Sequence, residues 1–308
     1  MMFFKNELPA VSIPDFRKLG KYVLNSVICL LMILLLFYFL CAVVLRTTIL
    51  NPGFGVWCLD RSTYTEKLAG DMEKSIVNLG QSSGIPEEVL KKTVSTIQLR
   101  KQLVGYVTTV SNYLAGVEEV FSYEVDTTEF EDQLNEKIDN YALQQQIGID
   151  STARQGVRTF VKECADIYTN GIVINARLLP QFRTAVRSFN NLLPLMGLLF
   201  AALVLIQVGV NRSFAHTIHW ISICLMILGM ASLTISLLFF STGIIDRLNL
   251  EPEFFKELVG TVFGGITFDF ALAGTASLTV GLLLKVAYNR TRKKRLREVR
   301  EMHEMWGG

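Results

Sequence analysis

The sequence predicts an all-α membrane protein: four transmembrane helices, with a large all-α extracytoplasmic domain inserted between helices 1 and 2. Its 308 residues are 50% hydrophobic and only 19% charged, and the mean hydropathy is +0.36. This composition is unlike that of an ordinary soluble domain. Four stretches are long and apolar enough to cross a bilayer, and the segment between the first two repeats its apolar residues with helical spacing.

The four apolar runs cover 22–45, 192–210, 218–240 and 270–288. They divide the chain into five predicted parts. We expect a cytoplasmic N-terminal segment at 1–21, transmembrane helix 1 at 22–45, an extracytoplasmic helical domain at 46–190, transmembrane helices 2–4 at 191–288, and a basic cytoplasmic tail at 289–308. The first apolar run is too long for a cleaved signal peptide, so it is predicted to be an uncleaved anchor.

The orientation follows from the distribution of charge. The long segment after span one has 15 basic and 18 acidic residues, whereas both terminal segments and the short loop after span two have a basic excess. Basic flanks remain in the cytoplasm. We therefore expect a multi-pass protein of the plasma membrane with both termini cytoplasmic, and its compact length and short loops suggest a bacterial one.

The inserted domain is predicted to be a bundle of four to six helices. Apolar residues recur every three or four positions along each of its segments. Three sites have the sequence of a helix start: Pro86 with two glutamates after it, Asp126, and Asp150. Gly171 is expected to end a helix. The following helix, with Arg177, Arg183 and Arg187, is expected to run nearly unbroken into span two.

Two cysteines, Cys58 and Cys164, lie in this domain, and the other three lie within spans. An extracytoplasmic location allows disulfide formation, and two cysteines have one pairing. We therefore predict a Cys58–Cys164 disulfide, with two unpaired buried thiols as the alternative. The cysteines within the spans are interpreted as small apolar fillers.

A second extracytoplasmic segment is predicted to form an amphipathic helix at about 252–263, starting at Pro252 and ending at Gly264-Gly265. Its apolar residues are Phe254, Phe255, Leu258, Val259, Val262 and Phe263. Such a helix either lies in the plane of the membrane interface or covers the end of the transmembrane helices beneath the external domain. We favour the second arrangement, because the polar face of the helix is acidic, whereas anionic lipid attracts basic faces.

Span four has small residues at every fourth position: Ala273, Ser277 and Gly281. Small residues let helices approach closely within a membrane. We expect this stripe to pack within the chain, against Ser222, Gly229, Ser232 and Ser236 of span three, and the alternative is a contact between copies.

The tail after span four is strongly basic. It contains Arg290, Arg292, Lys293, Lys294, Arg295, Arg297 and Arg300. These side chains are predicted to contact anionic phospholipid headgroups, although a role as a topology signal alone would also explain them.

No catalytic site is predicted. The sequence has neither a phosphate-binding glycine loop nor a zinc-protease motif, and all three histidines lie on the predicted cytoplasmic side. Two of them, His216 and His219, are interpreted as interfacial anchors rather than metal ligands. The near-neutral charge of +2 argues against nucleic-acid binding. We expect neither a cofactor nor a metal.

The leading functional hypothesis is therefore a non-enzymatic integral membrane protein that presents its helical domain for partner binding or complex assembly. Its expected partners are the lipid bilayer and either a protein of unknown identity or further copies of the chain. The alternative is a homo-oligomeric channel or a transporter or exporter subunit, for which the small-residue stripe of span four is the main support.

Overall fold

The chain is described by a computed structural model that covers residues 16–148, 150–173, 178–247 and 253–306. Within these ranges the secondary structure is helical and contains no strand. The helices are α1 (Phe16–Thr47), α2 (Pro52–Arg61), α3 (Tyr64–Ser82), α4 (Glu87–Leu90), α5 (Thr96–Ala115), α6 (Thr128–Gln144), α7 (Ser151–Ile172), α8 (Leu179–Asn211), α9 (Phe214–Thr242), α10 (Ile244–Arg247) and α11 (Glu253–Trp306).

Four of these helices, α1, α8, α9 and α11, are long and apolar enough to span a membrane. This confirms the predicted number of spans. Helix α8 begins at Leu179 and continues to Asn211, so Arg183 and Arg187 belong to the same helix as span two. The predicted member Arg177 lies outside the described residues.

Helix α11 differs from the prediction. It is one continuous helix of 54 residues that contains the predicted amphipathic segment, span four and the basic tail. Gly264 and Gly265 do not end it. At Gly265 an added Cβ would lie 2.6 Å from the Phe54 ring, so this glycine permits close packing of α11 on an aromatic side chain.

The chain divides into two compact units. The first consists of Met1–Leu40, Leu193–Thr234 and Ala271–Gly308, and the second of Cys41–Leu192 and Ile235–Phe270. The two units have separate hydrophobic cores.

The first unit is formed by parts of the helices that are long and apolar enough to span a membrane. Its core contains Ile28, Met32 and Leu203. At one end of this core, Asn25 Nδ2 of α1 donates to Asn211 Oδ1 of α8 at 3.1 Å, and both residues are buried. A buried amide is costly without a partner, so this pair fixes the contact between α1 and α8.

The second unit is built on the α2–α7 bundle. Helix α3 packs on α7 and α5, α2 packs on α5, and α6 packs on α7 and α4. The core is dominated by large side chains; Phe130 and Tyr168 stack with ring centroids 4.9 Å apart. Burial raises the pKa of Tyr168 to about 12. Within the described part of 46–190 the bundle has six helices, at the upper limit of the prediction.

Local sequence explains where these helices begin. Asp150 Oδ1 accepts the backbone N–H of Ala153 at 2.7 Å, and the Asn51 side chain caps α2 before Pro52. At α6 the cap is Thr127, one residue after the predicted Asp126. Gly171 lies inside α7 rather than after it. An added Cβ there would be 2.2 Å from Met72 Cε, so this glycine permits close packing of α7 on α3.

Candidate binding clefts

The structure corrects the predicted Cys58–Cys164 disulfide. Both residues are free, buried thiols. The other three cysteines are also free: Cys29 and Cys224 are buried and Cys41 is half-buried, and all five lie in the described part of the chain. Cys58 lies on α2, which packs on α5, whereas Cys164 lies on α7, whose main neighbours are α3, α5 and α6. The alternative of two unpaired buried thiols therefore holds. Burial raises the pKa of Cys58 to about 11 and of Cys164 to about 12.

The small residues of span four contact α9 within the chain. Gly281 is buried, and a Cβ there would lie 3.0 Å from the carbonyl oxygen of Ser222. Ala273 and Ser277 are only half-buried. Gly274, which the sequence analysis did not single out, is buried instead and lies against Ser232 and Gly229. The packed face of α11 is thus rotated from the predicted one.

The predicted amphipathic residues form the first turns of α11. Phe254, Phe255 and Leu258 pack against the core of the second unit, and the Phe254 ring meets the Tyr64 ring edge-on at 5.5 Å. Glu257 accepts hydrogen bonds from Lys67 Nζ and Thr63 Oγ1, each at 2.7 Å. Val259, Val262 and Phe263 lie further along, with Phe263 41% exposed.

Phe254 and Phe255 line a cleft of about 540 Å³ between α3, α7 and α11, which we call the Phe254 cleft. Its walls are mostly apolar, and Asp71, Ser75 and Asn170 lie at its exposed edge. A concave apolar site with a few polar groups is typical of small-molecule or acyl-chain binding.

A second cleft of about 520 Å³ lies beyond the other end of α3, and we call it the Tyr141 cleft. Its floor consists of buried core side chains. Its full lining is Ser83, Gly84, Ile85, Pro86, Val89, Ile138, Tyr141, Ala142, Ile147, Ala153, Gly156, Val157 and Phe160. No heavy atom lies within 4 Å of a Cβ added at Gly156, so the wall at this residue is open. This cleft was not predicted from the sequence, because its lining comes from three separate segments.

Exposed apolar side chains lie at and beside the Tyr141 cleft. Ile147, which lines it, is 56% exposed, and Leu143, which follows the lining residue Ala142 but does not itself line the cleft, is 76% exposed. Single exposed apolar residues are common on proteins. At this cleft, Ile147 extends the concave apolar lining to the exposed rim.

The loop after α5 is held by an arginine of α8. The Arg183 guanidinium donates to the carbonyl oxygens of Glu118 and Glu119. It also lies over the Tyr113 ring, 4.5 Å from its centroid. The three contacts fix the loop that starts at Gly116, whose φ of +81° favours glycine.

The basic residues of the tail lie on the last turns of α11. Arg290, Arg292, Lys293, Lys294 and Arg297 are exposed, and the side chains of Arg295 and Arg300 lie outside the described ones. Nearer the span, Lys285 Nζ lies 2.9 Å from His219 Nδ1. The His219 ring stacks on Tyr288 at 4.7 Å, so this histidine joins α9 to α11, and His216 meets the same tyrosine edge-on.

Comparison of the chain with protein-family models, with curated proteins and with solved structures finds no match.

Proposed function

We propose that this chain is a non-enzymatic integral membrane protein that presents its helical domain outside the cytoplasm and binds a protein partner there. The observation that carries this proposal is the Tyr141 cleft with its exposed apolar edge. Its volume suits one or two large apolar side chains of a partner. Tyrosine is among the residues that contribute most at protein interfaces.

The charge distribution supports the proposed location. Basic residues are concentrated in the exposed tail at the end of α11, and the segment that forms the helical domain has an acidic excess. Under the positive-inside rule this arrangement favours a plasma membrane protein with both termini in the cytoplasm. We propose that the tail also contacts anionic phospholipid of the inner leaflet.

Protease accessibility tests the orientation. Trypsin added to intact cells is expected to cut within the helical domain and to leave an epitope placed after Trp306 undigested, because that epitope is cytoplasmic. Permeabilised cells serve as the control, in which both regions are exposed. Loss of the epitope in intact cells, with the domain left whole, would reverse the topology.

Site-specific photocrosslinking tests partner binding. A photoreactive amino acid at Ile147, in the cleft, is expected to yield a defined crosslinked product in native membranes. The matched control carries the same photoreactive amino acid at Ile97, which is 82% exposed on α5 and lies outside the cleft. If both positions give only the uncrosslinked chain, the partner-binding proposal is wrong.

A cleft-filling variant separates binding from folding. Gly156→Leu places a side chain into open space and removes a helical glycine, so the domain is expected to be at least as stable as wild type. The crosslink at Ile147 should nevertheless weaken. Gln155→Leu is the control, because Gln155 is exposed on the same helix but does not line the cleft.

The alternative function, a homo-oligomeric channel or an exporter subunit, rested on the small residues of span four. Gly274 and Gly281 lie against α9 of the same chain. Of the predicted stripe, Gly281 thus packs within the chain, whereas Ala273 and Ser277 are half-buried. We favour partner binding over this alternative.

A further inference from the structure

Two cysteines of the first unit lie in direct contact. Cys29 Sγ of α1 and Cys224 Sγ of α9 are 2.6 Å apart, although the residues are separated by 195 positions in the sequence. Both side chains are buried, at 5% and 0% exposure, and both belong to the apolar core with Ile28, Met32 and Leu203.

This distance is close to that of a bond. A disulfide has a sulfur–sulfur distance of about 2.05 Å, so the two thiols need to approach by only about 0.6 Å more. Cys41, Cys58 and Cys164 are also free thiols, but none of them shows such a contact among the described residues.

Neighbouring contacts hold the two helices in this arrangement. One turn before Cys29, Asn25 is hydrogen-bonded to Asn211 of α8. Five residues after Cys224, Gly229 lies against the backbone of α11 at Gly274. These contacts hold α1 and α9 in the arrangement in which the two thiols meet.

We propose that Cys29 and Cys224 are a redox pair that forms a reversible disulfide between α1 and α9. The site is enclosed by apolar side chains on helices that are able to span a membrane, so its oxidant is an apolar two-electron acceptor dissolved in the bilayer, of the quinone class. The two S–H bonds break and one S–S bond forms. Two electrons and two protons pass to the quinone, which becomes a quinol.

The oxidised state differs from the reduced state in one covalent link. That link closes a loop containing α2–α8, including the whole helical bundle. Oxidation by the membrane quinone therefore links α1 to α9 covalently, and reduction removes this link.

Thiol counting on the full-length chain tests the proposal. Membranes are incubated with a short-chain, fully substituted benzoquinone, which oxidises thiols without adding to them, and the chain is then denatured and tagged with a maleimide polymer. The chain has five cysteines, so the untreated protein should take five tags. The oxidised protein should take three, and dithiothreitol should restore five. Peptide mass spectrometry should find Cys29 linked to Cys224.

Variants assign the lost thiols. Cys29→Ser and Cys224→Ser should each keep all four remaining tags after quinone treatment. Cys41→Ser, a change on the same helix as Cys29, should fall from four tags to two. The proposal is overturned if the wild-type chain keeps five tags after quinone, or if the linked peptides contain other cysteines. The wild-type count does not depend on whether a variant folds.

Discussion

Lys137 Nζ of α6 donates a hydrogen bond to the carbonyl oxygen of Lys91 at 2.8 Å. It also donates to the carbonyl oxygen of Lys92 at 2.9 Å. Helix α4 has only four residues and ends at Leu90, and Lys92 has a φ of +55°. The ammonium group of one helix thus supplies donors to an irregular segment that has lost its own helical hydrogen bonds. Partial burial lowers the pKa of this lysine.

Lys137→Met is expected to destabilise the helical bundle by about 1–3 kcal/mol, because it removes the donor for two carbonyl groups. Urea unfolding of the detergent-solubilised protein, followed by circular dichroism, measures the loss. Lys137→Arg keeps donors at this position and should lose less. Equal stability of Lys137→Met and wild type would show that water replaces the ammonium without cost.

The thiols of Cys58 and Cys164 are expected to be inert in the folded protein. Burial raises the pKa of the Cys164 thiol to about 12 from an ordinary value of 9.0, and the thiolate is the reactive form. Maleimide labelling at pH 8 should therefore miss both residues until denaturant is added. Labelling of either residue at the rate of an exposed thiol under native conditions would contradict the burial.

The same raised pKa values make folding sensitive to alkali. The unfolded chain loses the thiol proton near pH 9, whereas the folded chain keeps it to about pH 11 at Cys58. The unfolded state binds fewer protons in this window, so the stability contributed by these groups is present below pH 9 and is lost as the pH rises through 11. Unfolding midpoints should fall over this range, and less so in Cys164→Ala.

Gln207→Leu is expected to stabilise the first unit. The side chain is fully buried, and neither its oxygen nor its nitrogen has a hydrogen-bond partner among the described residues. Removing an unsatisfied amide recovers about 1–3 kcal/mol. Thermal unfolding in detergent provides the measurement. Asn211→Leu is the contrasting variant, because it breaks the pair with Asn25 and should destabilise. A destabilised Gln207→Leu would indicate a bound water on the amide.

Gly229→Ala is expected to destabilise the contact between α9 and α11 by about 1–3 kcal/mol, because the added methyl group would lie 2.7 Å from the carbonyl oxygen of Gly274. Gly209→Ala on α8 is the matched control. It meets nothing within 4 Å, and alanine favours a helix. The two variants should differ in unfolding temperature, and similar values would contradict the tight packing at Gly229.

The elements were predictable where a single segment determines them. The apolar length of each span and the Asp150 cap depend on neighbouring residues alone, and both agree with the structure. The face of α11 that packs on α9 depends on another helix. The spacing of small residues predicted that Ala273 packs on α9, whereas in the structure Gly274 lies against α9.

Two errors have a similar origin. A count of cysteines does not determine which thiols approach each other, so the sequence favoured Cys58 with Cys164 and gave no sign of the contact between Cys29 and Cys224. The glycine pair at 264–265 resembles a helix end. At Gly265, however, the missing side chain makes room for Phe54, and this use of glycine is visible only in three dimensions.

The hydrophobic core of the bundle includes side chains from a distant part of the chain. Phe254, Phe255 and Leu258 pack on it from α11, after two intervening spans. During translation the bundle therefore remains incomplete until the ribosome has passed residue 258. Until then the face of the domain around Tyr64, which the Phe254 ring contacts in the folded chain, lacks its partner. A bundle expressed without α11 would leave this face uncovered.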